Sequence, residues 1–296
     1  MSLVIDVSKF QQPKGLDWDR LRAIHETLLE SGDRLGVVII PRATYGSKGP
    51  NVRDPAFPRF VELTRKAGLR LSAYHFYRQT TPWTDQYGVF QEYTRRYVDW
   101  EPSDFVPMFD LEDNRRNGDG RLNKAIVNVE CPQMCAAMLE EYGGLNFYYS
   151  SYLPDLLGAR KGDEGWKWMQ GLSRTLHHLA DYSVAPGAPR TPYTRRWHLH
   201  QYKPEEHDWY NPDSGGYAVE IDVNVANLSD QVAVAQLADY GLIGEKEADP
   251  YDEGMPMPHY DPEIDVGFDV LANGLAAAAT GAFRLAKAYG PADDDD

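Results

Sequence analysis

The sequence predicts an α/β fold: a modified TIM-like barrel of five β/α units followed by three further strands. Short apolar runs alternate with helical patterns up to residue 151, and beyond it the runs continue while the helical patterns weaken. Strands that are apolar on both faces are typical of a parallel sheet covered by helices. A doubly wound open sheet is the alternative, although the chain lacks a glycine-rich phosphate-binding loop, which disfavours a nucleotide site.

The elements follow from these patterns in order. The first five strands are predicted at 3–7, 35–40, 69–77, 105–112 and 145–151. Helices are predicted at 17–32, 54–68, 80–100 and 123–142, the first with Asp17 as its cap and the last with a possible restart at Pro132. The last three strands are predicted in the segments WKWMQ (166–170), RRWHLHQY (195–202) and AVEIDVNV (218–225).

Composition divides the chain into three parts. Residues 1–244 are predicted to form the catalytic barrel, 245–262 an acidic, proline-rich linker, and 263–296 a short Ala-rich helix with an acidic tail of unknown role. The segment 245–296 holds 13 acids and 3 bases, so that −10 of the net charge of −15 comes from it. The barrel is therefore only mildly acidic, and the tail sets the sign of the whole chain.

The bulk properties exclude several classes of partner. A net charge of −15 argues against a nucleic-acid partner, because phosphate binding needs a basic surface. No run of about 18 apolar residues predicts a membrane span, and no secretory leader is visible, so synthesis in the cytoplasm is expected. Cys131 and Cys135 are interpreted as buried or free thiols, since four-residue helical spacing suits neither a disulfide nor a complete zinc site. The oligomeric state is left open.

Acidic residues recur where the predicted strands end. Asp6 ends the first strand, Asp110 and Glu112 end the fourth, and Asp222 ends the last. Functional residues of a parallel barrel gather at the carboxyl ends of its strands. Because closure makes the first and last strands neighbours, the sequence predicts one ring of four carboxylates at the barrel mouth.

The stretch FVPMFDLEDNRR (105–116) holds the central pair of this ring. Side chains two apart on a strand share a face with Cα atoms about 6.6 Å apart, so Asp110 and Glu112 point together while Asp113 belongs to the loop. Crowded carboxylates cannot all ionise, and one retains a proton that can serve as the acid in glycosidic cleavage. Taken alone, the pair is more typical of a polar loop start than of a catalytic site.

Seven short motifs at strand ends give a specific resemblance. They are IDVSKFQ (5–11), RATYG (42–46) followed by Asp54, AYHFY (73–77), FDLE (109–112), YSS (149–151), HQY (200–202) and IDVN (221–224). In this order, over about residues 3–228, the chain resembles glycoside hydrolase family 25, the Chalaropsis-type lysozymes that include many phage endolysins.

The resemblance implies an N-acetylmuramidase that cleaves the β-1,4 bond between N-acetylmuramic acid and N-acetylglucosamine in bacterial peptidoglycan. It implies that Glu112 is the proton donor, that Asp110, Asp6 and Asp222 are the other catalytic acids, and that no metal or cofactor takes part. Two forms of attack stay open: by the substrate's own acetamido oxygen with Asp110 in support, or by a carboxylate or a water that Asp6 or Asp222 activates. Action on the cell wall after release, by host lysis or virion delivery, is expected.

Five residues are candidates for substrate binding: Tyr149, Trp168, His75, Tyr74 and Gln201. Aromatic side chains at strand ends can stack on sugar rings, although core packing is an equal interpretation. Two positions depart from the family pattern: His200 replaces a Trp before Gln201, and WMQGL (168–172) lacks the Ala and Tyr of a Trp-x-Ala-x-Tyr sixth strand. The alternatives are a non-catalytic wall-binding or virion structural protein on the same fold and a glycosidase for chitin.

Overall fold

The computed structural model describes residues 2–33, 35–49, 52–112, 121–151, 153, 168, 175–189, 197–202, 207, 209–211 and 221–227. Its strands are β1 (Leu3–Val7), β2 (Val37–Tyr45), β3 (Arg70–Leu71), β4 (Tyr74–Phe76), β5 (Met108–Leu111), β6 (Leu145–Ser150), β7 (Thr175–Ala180), β8 (Leu199–Tyr202) and β9 (Asp222–Ala226). Its α-helices are α1 (Trp18–Glu30), α2 (Phe57–Lys66), α3 (Trp83–Tyr97) and α4 (Lys124–Tyr142), with a 3-10 turn at Pro13–Gly15.

The strands close into a barrel. Their order is β1-β9-β8-β7-β6-β5-β4-β2-β3, and β1 also pairs with β2, which joins the two ends of the sheet. The short strand β3 and β4 occupy one barrel position, since both pair with β2 along its length. The result is an eight-strand closed barrel, which confirms the predicted fold class over an open doubly wound sheet.

The last strand runs against the others. The pairs from β1–β2 round to β7–β8 are parallel, whereas β9 is antiparallel to both β8 and β1. Asp222 therefore begins β9 rather than ending it, contrary to the expectation from sequence. It still reaches the barrel mouth, because an antiparallel strand enters the barrel at the edge where the parallel strands leave it.

The sixth strand was predicted in the wrong place. The strand that follows β6 in the barrel and pairs with it is Thr175–Ala180. Except for Trp168, the predicted strand WKWMQ (166–170) lies outside the described residues. The sequence TLHHLA carries two adjacent histidines and reads as polar, yet neighbouring strands bury most of it. The predicted linker (245–262) and Ala-rich helix (263–296) lie outside the described residues, and the chain divides into units Met1–Glu245 and Lys246–Asp296.

The helices cover the outside of the barrel. Asp17 caps α1 by accepting a hydrogen bond from the Arg20 backbone N–H, as its sequence predicts. Helix α4 begins after the Asn123 cap and runs unbroken through Pro132 to Gly143, whose positive φ of 72° ends it. Among the described helices, none is both long and apolar enough to cross a membrane.

Alternating side chains separate two apolar layers. The inner cluster fills the barrel, with Val4, Tyr74, Met108, Tyr148 and Leu199 among its members. The outer layer lies between strands and helices, and it contains Ile5, Phe109 and Phe147. Cys131 and Cys135 are free thiols buried in this outer layer, which confirms their interpretation.

A bulge interrupts the alternation in β2. The register with β4 shifts between Arg42 and Thr44. Ala43 lies in the outer core, and the Thr44 hydroxyl hydrogen-bonds His75 Nδ1 at 2.7 Å, so two successive side chains face outward. The Tyr45 ring then lies 4.8 Å from the Phe76 ring at the mouth. The extra residue thus brings both Arg42 and Tyr45 to the mouth.

Candidate active site

Four carboxyl groups meet at the barrel mouth, as predicted. Asp6 and Asp222 are direct Cα partners in the antiparallel pairing of β1 with β9. Asp110 lies on the inner face of β5, and Glu112 follows it two residues later with the same parity. The charges of Glu112 and Asp222 raise the pKa of both Asp6 and Asp110, so that the four side chains form one acidic cluster.

Burial and crowding weaken the ionisation of Asp6 and Asp110. Burial raises the pKa of Asp6 well above its ordinary value, and the charge of Asp222 raises it further. Burial also raises the pKa of Asp110, with added effects of Glu112 and Asp6, and Asp110 Oδ1 is buried without a hydrogen-bond partner. Such a cluster retains protons at a pH where isolated carboxyl groups would have lost theirs.

Glu112 is the more accessible member of the central pair. Asp110 is 5% exposed, whereas Glu112 is only half-buried where β5 ends. Burial raises the pKa of Glu112, and a hydrogen bond with the Tyr148 hydroxyl lowers it in part. Glu112 can therefore hold a proton and still present it to a molecule in the mouth.

A buried ion pair borders the acids. Arg42 Nε donates to Asp54 Oδ2 at 2.9 Å, and its Nη2 lies 2.7 Å from the same oxygen. The Arg42 charge also lowers the pKa of Asp110. In the sequence, Arg42 belongs to the RATYG motif and Asp54 follows it, and the pattern alone predicts no role for them. A lone Arg inside an otherwise apolar strand, VVIIPRATY, was the available signal.

Two of the predicted substrate-binding residues lie beside the acids. Tyr74 lies on the inner face of β4, and burial together with the charges of Asp6 and Asp110 raises the pKa of its hydroxyl group. Gln201 on β8 is 1% exposed, donates from Nε2 to Asp6 Oδ2 at 3.4 Å, and accepts a hydrogen bond from the Tyr148 hydroxyl. Because both side chains are deeply buried, they are placed to hold the carboxyl groups in position rather than to contact a sugar.

The other three predicted binding residues face away from the mouth. Tyr149 is fully buried in the outer core and its hydroxyl meets His177 Nδ1 at 3.2 Å. Trp168 packs on the outer core and donates to Asn128. His75 is fully buried between Thr44 and Gln86. The predicted binding role of these three is wrong, because none of their side chains faces the mouth. Along β6 and β4, alternation turns Tyr148 and Tyr74 inward in place of Tyr149 and His75.

The two departures from the family pattern also need correction. His200 does not line the mouth: it is fully buried, accepts from the Gly187 N–H and donates to the Asp181 carbonyl. With β7 at Thr175–Ala180, the Ala and Tyr of the sixth-strand pattern fall on Ala180 and Tyr182, and His178 stands at the Trp position. Tyr182 lies at the mouth, where the charges of Asp222 and Asp6 raise its pKa in addition to burial.

Aromatic and cationic side chains form a rim on one side of the mouth. The Arg78 guanidinium lies 4.9 Å from the Tyr45 ring centroid, and Tyr45 contacts Phe76. Phe10 is 39% exposed, with the Lys9 ammonium 5.3 Å from its ring centroid. Within the described ranges, no group of three or more His, Cys, Asp and Glu side chains is arranged to hold a metal ion.

Comparisons with known proteins agree with this architecture. The profile of the family described as "Glycosyl hydrolases family 25" matches residues 5–208. The protein YegX of Escherichia coli K12 is 30% identical over 122 residues, which cover 41% of this chain and 40% of YegX. The chain thus matches less than half the length of this curated relative.

Two solved structures share the fold. The bacterial lysozyme from Streptomyces coelicolor aligns with a TM-score of 0.59 at 17% identity, covering 81% of this chain and 98% of that one. The catalytic domain of endolysin ply40 from bacteriophage P40 of Listeria monocytogenes aligns with a TM-score of 0.54 at 16% identity, covering 82% and 98%. With the profile match over residues 5–208, the chain belongs to glycosyl hydrolases family 25.

Proposed function

We propose that this protein is a peptidoglycan hydrolase, an N-acetylmuramidase that cleaves the β-1,4 bond from N-acetylmuramic acid to N-acetylglucosamine. The observation that carries the proposal is the half-buried Glu112, with a raised pKa, beside Asp110 on one face of the mouth. A proton donor next to a second carboxyl group is the arrangement that glycosidic cleavage requires. Membership of the family supports the same reaction class.

Glu112 is assigned as the general acid. It protonates the oxygen of the departing sugar, since it combines a raised pKa with access from the mouth. Asp110 lies deeper, at 5% exposure, and its charge is balanced in part by Arg42. In that position Asp110 suits the stabilisation of positive charge on a sugar ring better than the delivery of a proton.

The proposed attack comes from the substrate's own 2-acetamido oxygen. Asp110 stabilises the cationic ring that forms, and water then opens it with net retention of configuration. Direct attack by a carboxylate, or by a water that Asp6 or Asp222 activates, is the competing route. Proton NMR of the first product anomer separates direct attack by water from the other two routes, because net inversion is incompatible both with acetamido participation and with a covalent carboxylate intermediate.

Sugar contacts are proposed for the rim in place of the outward-facing residues. Phe10, Tyr45 and Phe76 present ring surfaces beside the acids, and pyranose faces stack on such rings. Lys9 and Arg78 lie over these rings and would favour an anionic group on the substrate, such as the carboxylates of a stem peptide.

The test digests purified peptidoglycan with the full chain, followed by borohydride reduction and mass spectrometry of the fragments. Reduced muramic acid at the new ends supports a muramidase, whereas reduced glucosamine, or cleavage of chitin alone, contradicts it. Glu112→Gln serves as the matched control. A wild-type protein that binds the wall without releasing any reducing ends would favour the non-catalytic alternative.

We further propose that the enzyme acts as an endolysin, on the wall after release from the cytoplasm in which it is made. The likeness to the ply40 catalytic domain supports a fold suited to this use. Cytoplasmic expression of the full chain, with and without an agent that permeabilises the membrane, tests it. Lysis only after permeabilisation supports an endolysin, and no lysis in either case contradicts the proposal.

A further inference from the structure

A buried histidine lies beneath the acidic mouth. His178 points into the barrel from β7 and is fully buried. Its Nδ1 lies 3.2 Å from Asn146 Nδ2, and its Nε2 lies 2.6 Å from Asn224 Oδ1. The Tyr148 ring meets the imidazole edge-on at 5.0 Å. His178 touches none of the four carboxyl groups, so the proposed reaction gives it no direct part.

The hydrogen bonds that connect Asn146, His178, Asn224 and Asp6 have one consistent direction. Asn224 Nδ2 donates to the Val4 carbonyl at 3.0 Å and to Asp6 Oδ2 at 2.9 Å. Because both amide protons are thus engaged, Asn224 Oδ1 must accept, and His178 Nε2 must carry the proton. His178 Nδ1 is then an acceptor for Asn146 Nδ2. Each donor along Asn146, His178 and Asn224 points toward Asp6.

The imidazole is suited to keep this direction. Burial lowers the pKa of His178 to about 3, so the ring is neutral in any neutral or mildly acidic buffer. The other titratable group acting on it is His200, whose effect has the same sign. A neutral ring with one fixed tautomer is a stable N–H donor to Asn224.

This series of hydrogen bonds matters because the side-chain amide of Asn224 could otherwise rotate by 180°. If nothing donated to Asn224 Oδ1, the amide could flip and present its oxygen to Asp6, which would repel the carboxylate. Five titratable groups interact electrostatically with Asp6, and each interaction disfavours its ionisation: Asp222, Glu112, Asp110, Tyr74 and Tyr182. Against these, the hydrogen bond from Asn224 lowers the pKa of Asp6.

We propose that His178 is a positioning residue: through Asn224 it fixes the amide that donates to Asp6 and so biases the cluster toward an ionised Asp6. A second amide donor, Gln201 Nε2, lies 3.4 Å from the same oxygen of Asp6. With two amide donors at Asp6, the cluster is biased to carry its protons on the other acids, Glu112 included. This inference rests on the proposed function for its kinetic consequences, but not for its structural ones.

The first experiment needs no substrate and no substitution. Nitrogen-15 NMR of the full chain with labelled histidine reports the protonation of each ring nitrogen of His178. A protonated Nε2 and an unprotonated Nδ1 that persist from pH 7 to pH 5 are expected. The opposite tautomer, or a ring that becomes cationic in this range, would overturn the proposal whether or not the protein is an enzyme.

The second experiment compares variants. His178→Phe removes both ring donors and acceptors, while His178→Gln keeps an N–H near the position of Nε2. In His178→Phe, the carbon-13 carboxyl titration of Asp6 moves to higher pH and kcat on peptidoglycan falls about ten-fold with little change in KM, as for loss of a hydrogen bond to a charged group. His178→Gln restores most of both. An unchanged Asp6 titration in a folded His178→Phe refutes the positioning role.

His177→Phe is the matched control for damage to β7. His177 is the neighbouring residue on the same strand but faces the outer layer, where it contacts Tyr149. It should alter thermal stability without moving the Asp6 titration or the pH profile of kcat. If wild type cleaves no peptidoglycan while the Asp6 titration still responds to His178→Phe, the proposed function fails and the positioning role stands.

Discussion

Replacing Asp54 by Ala should remove the anchor of the rim beside the mouth. The Asp54 side chain is 1% exposed and accepts from Arg42, from the Lys9 backbone N–H at 3.0 Å and from the Ala56 backbone N–H at 3.0 Å. It thereby joins β2, the turn after β1 and the start of α2. Its loss leaves the Arg42 guanidinium, with a side chain 10% exposed, without its closest anion.

The expected cost is large for a single substitution. Breaking a buried ion pair by removing one partner costs about 3–5 kcal/mol in the free energy of unfolding. For a domain of this size each kcal/mol corresponds to about 2–4 °C, so Tm should fall by roughly 6–20 °C. Asp54→Asn should lie between wild type and Asp54→Ala, because its single oxygen can still accept from one of the two backbone N–H groups while the charge is lost.

Urea unfolding followed by tryptophan fluorescence, together with thermal melts, measures this cost. The matched control is Glu62→Ala, which breaks the pair with Arg59 whose side chains are 61% and 55% exposed. An exposed pair contributes at most about 1 kcal/mol. If Asp54→Ala costs no more than Glu62→Ala, the buried pair does not anchor the rim and the reasoning fails.

Three further predictions concern the mouth and the core. Glu112→Gln should lower kcat on peptidoglycan by about 10²–10⁴-fold with Tm within a few degrees of wild type; near-normal turnover would remove Glu112 from its role. Asp110→Asn should raise Tm at pH 7 and leave it nearly unchanged at pH 3, because the raised pKa of Asp110 makes its ionisation favour the unfolded chain as pH rises; a larger gain at pH 3 would contradict this sign. Phe147→Ala should cost about 3–5 kcal/mol in urea unfolding, since Phe147 is fully buried between Phe109, Tyr149 and Trp168; a cost below 1 kcal/mol would show that the outer core tolerates the cavity.

The barrel and its acids were predictable because they depend on chain order. Apolar runs alternate with helical patterns, and closure then places Asp6 next to Asp222 without any knowledge of side-chain packing. The parity of Asp110 and Glu112 likewise follows from a strand of ordinary geometry. The family match over residues 5–208 confirms the resemblance that these motifs carry.

The inner and outer faces were not predictable for β6. Its residues Leu145 to Tyr149 are all buried, so no polar alternation tells which side chains face the mouth. The sequence therefore predicts Tyr149 as the substrate contact, although Tyr148 is the residue whose hydroxyl group hydrogen-bonds Glu112. A strand that is covered on both sides gives the same sequence pattern in either orientation.

The position of β7 and the direction of β9 could not be predicted from the sequence, for different reasons. In β7 the buried polar groups of His178 are satisfied by Asn146 and Asn224, from strands far away in sequence, which no local pattern shows. In β9 the direction depends on which edge of the barrel the chain enters, and the weak helical patterns after residue 151 carry no such information. The domain boundaries at 244 and 262 stay predictions.

The bulge in β2 has a consequence for how relatives of this protein are to be compared. Ala43 is an inserted residue that leaves the sheet intact but puts Arg42 and Tyr45, three positions apart, on the same side of it. In a relative without that residue, the equivalents of Arg42 and Tyr45 would be two positions apart and, by the ordinary alternation of a strand, would still face the mouth together. A one-residue gap in an alignment at this point therefore leaves the surface offered to a sugar unchanged, and the residues of two such chains correspond by the side of the sheet they face rather than by their distance from Arg42.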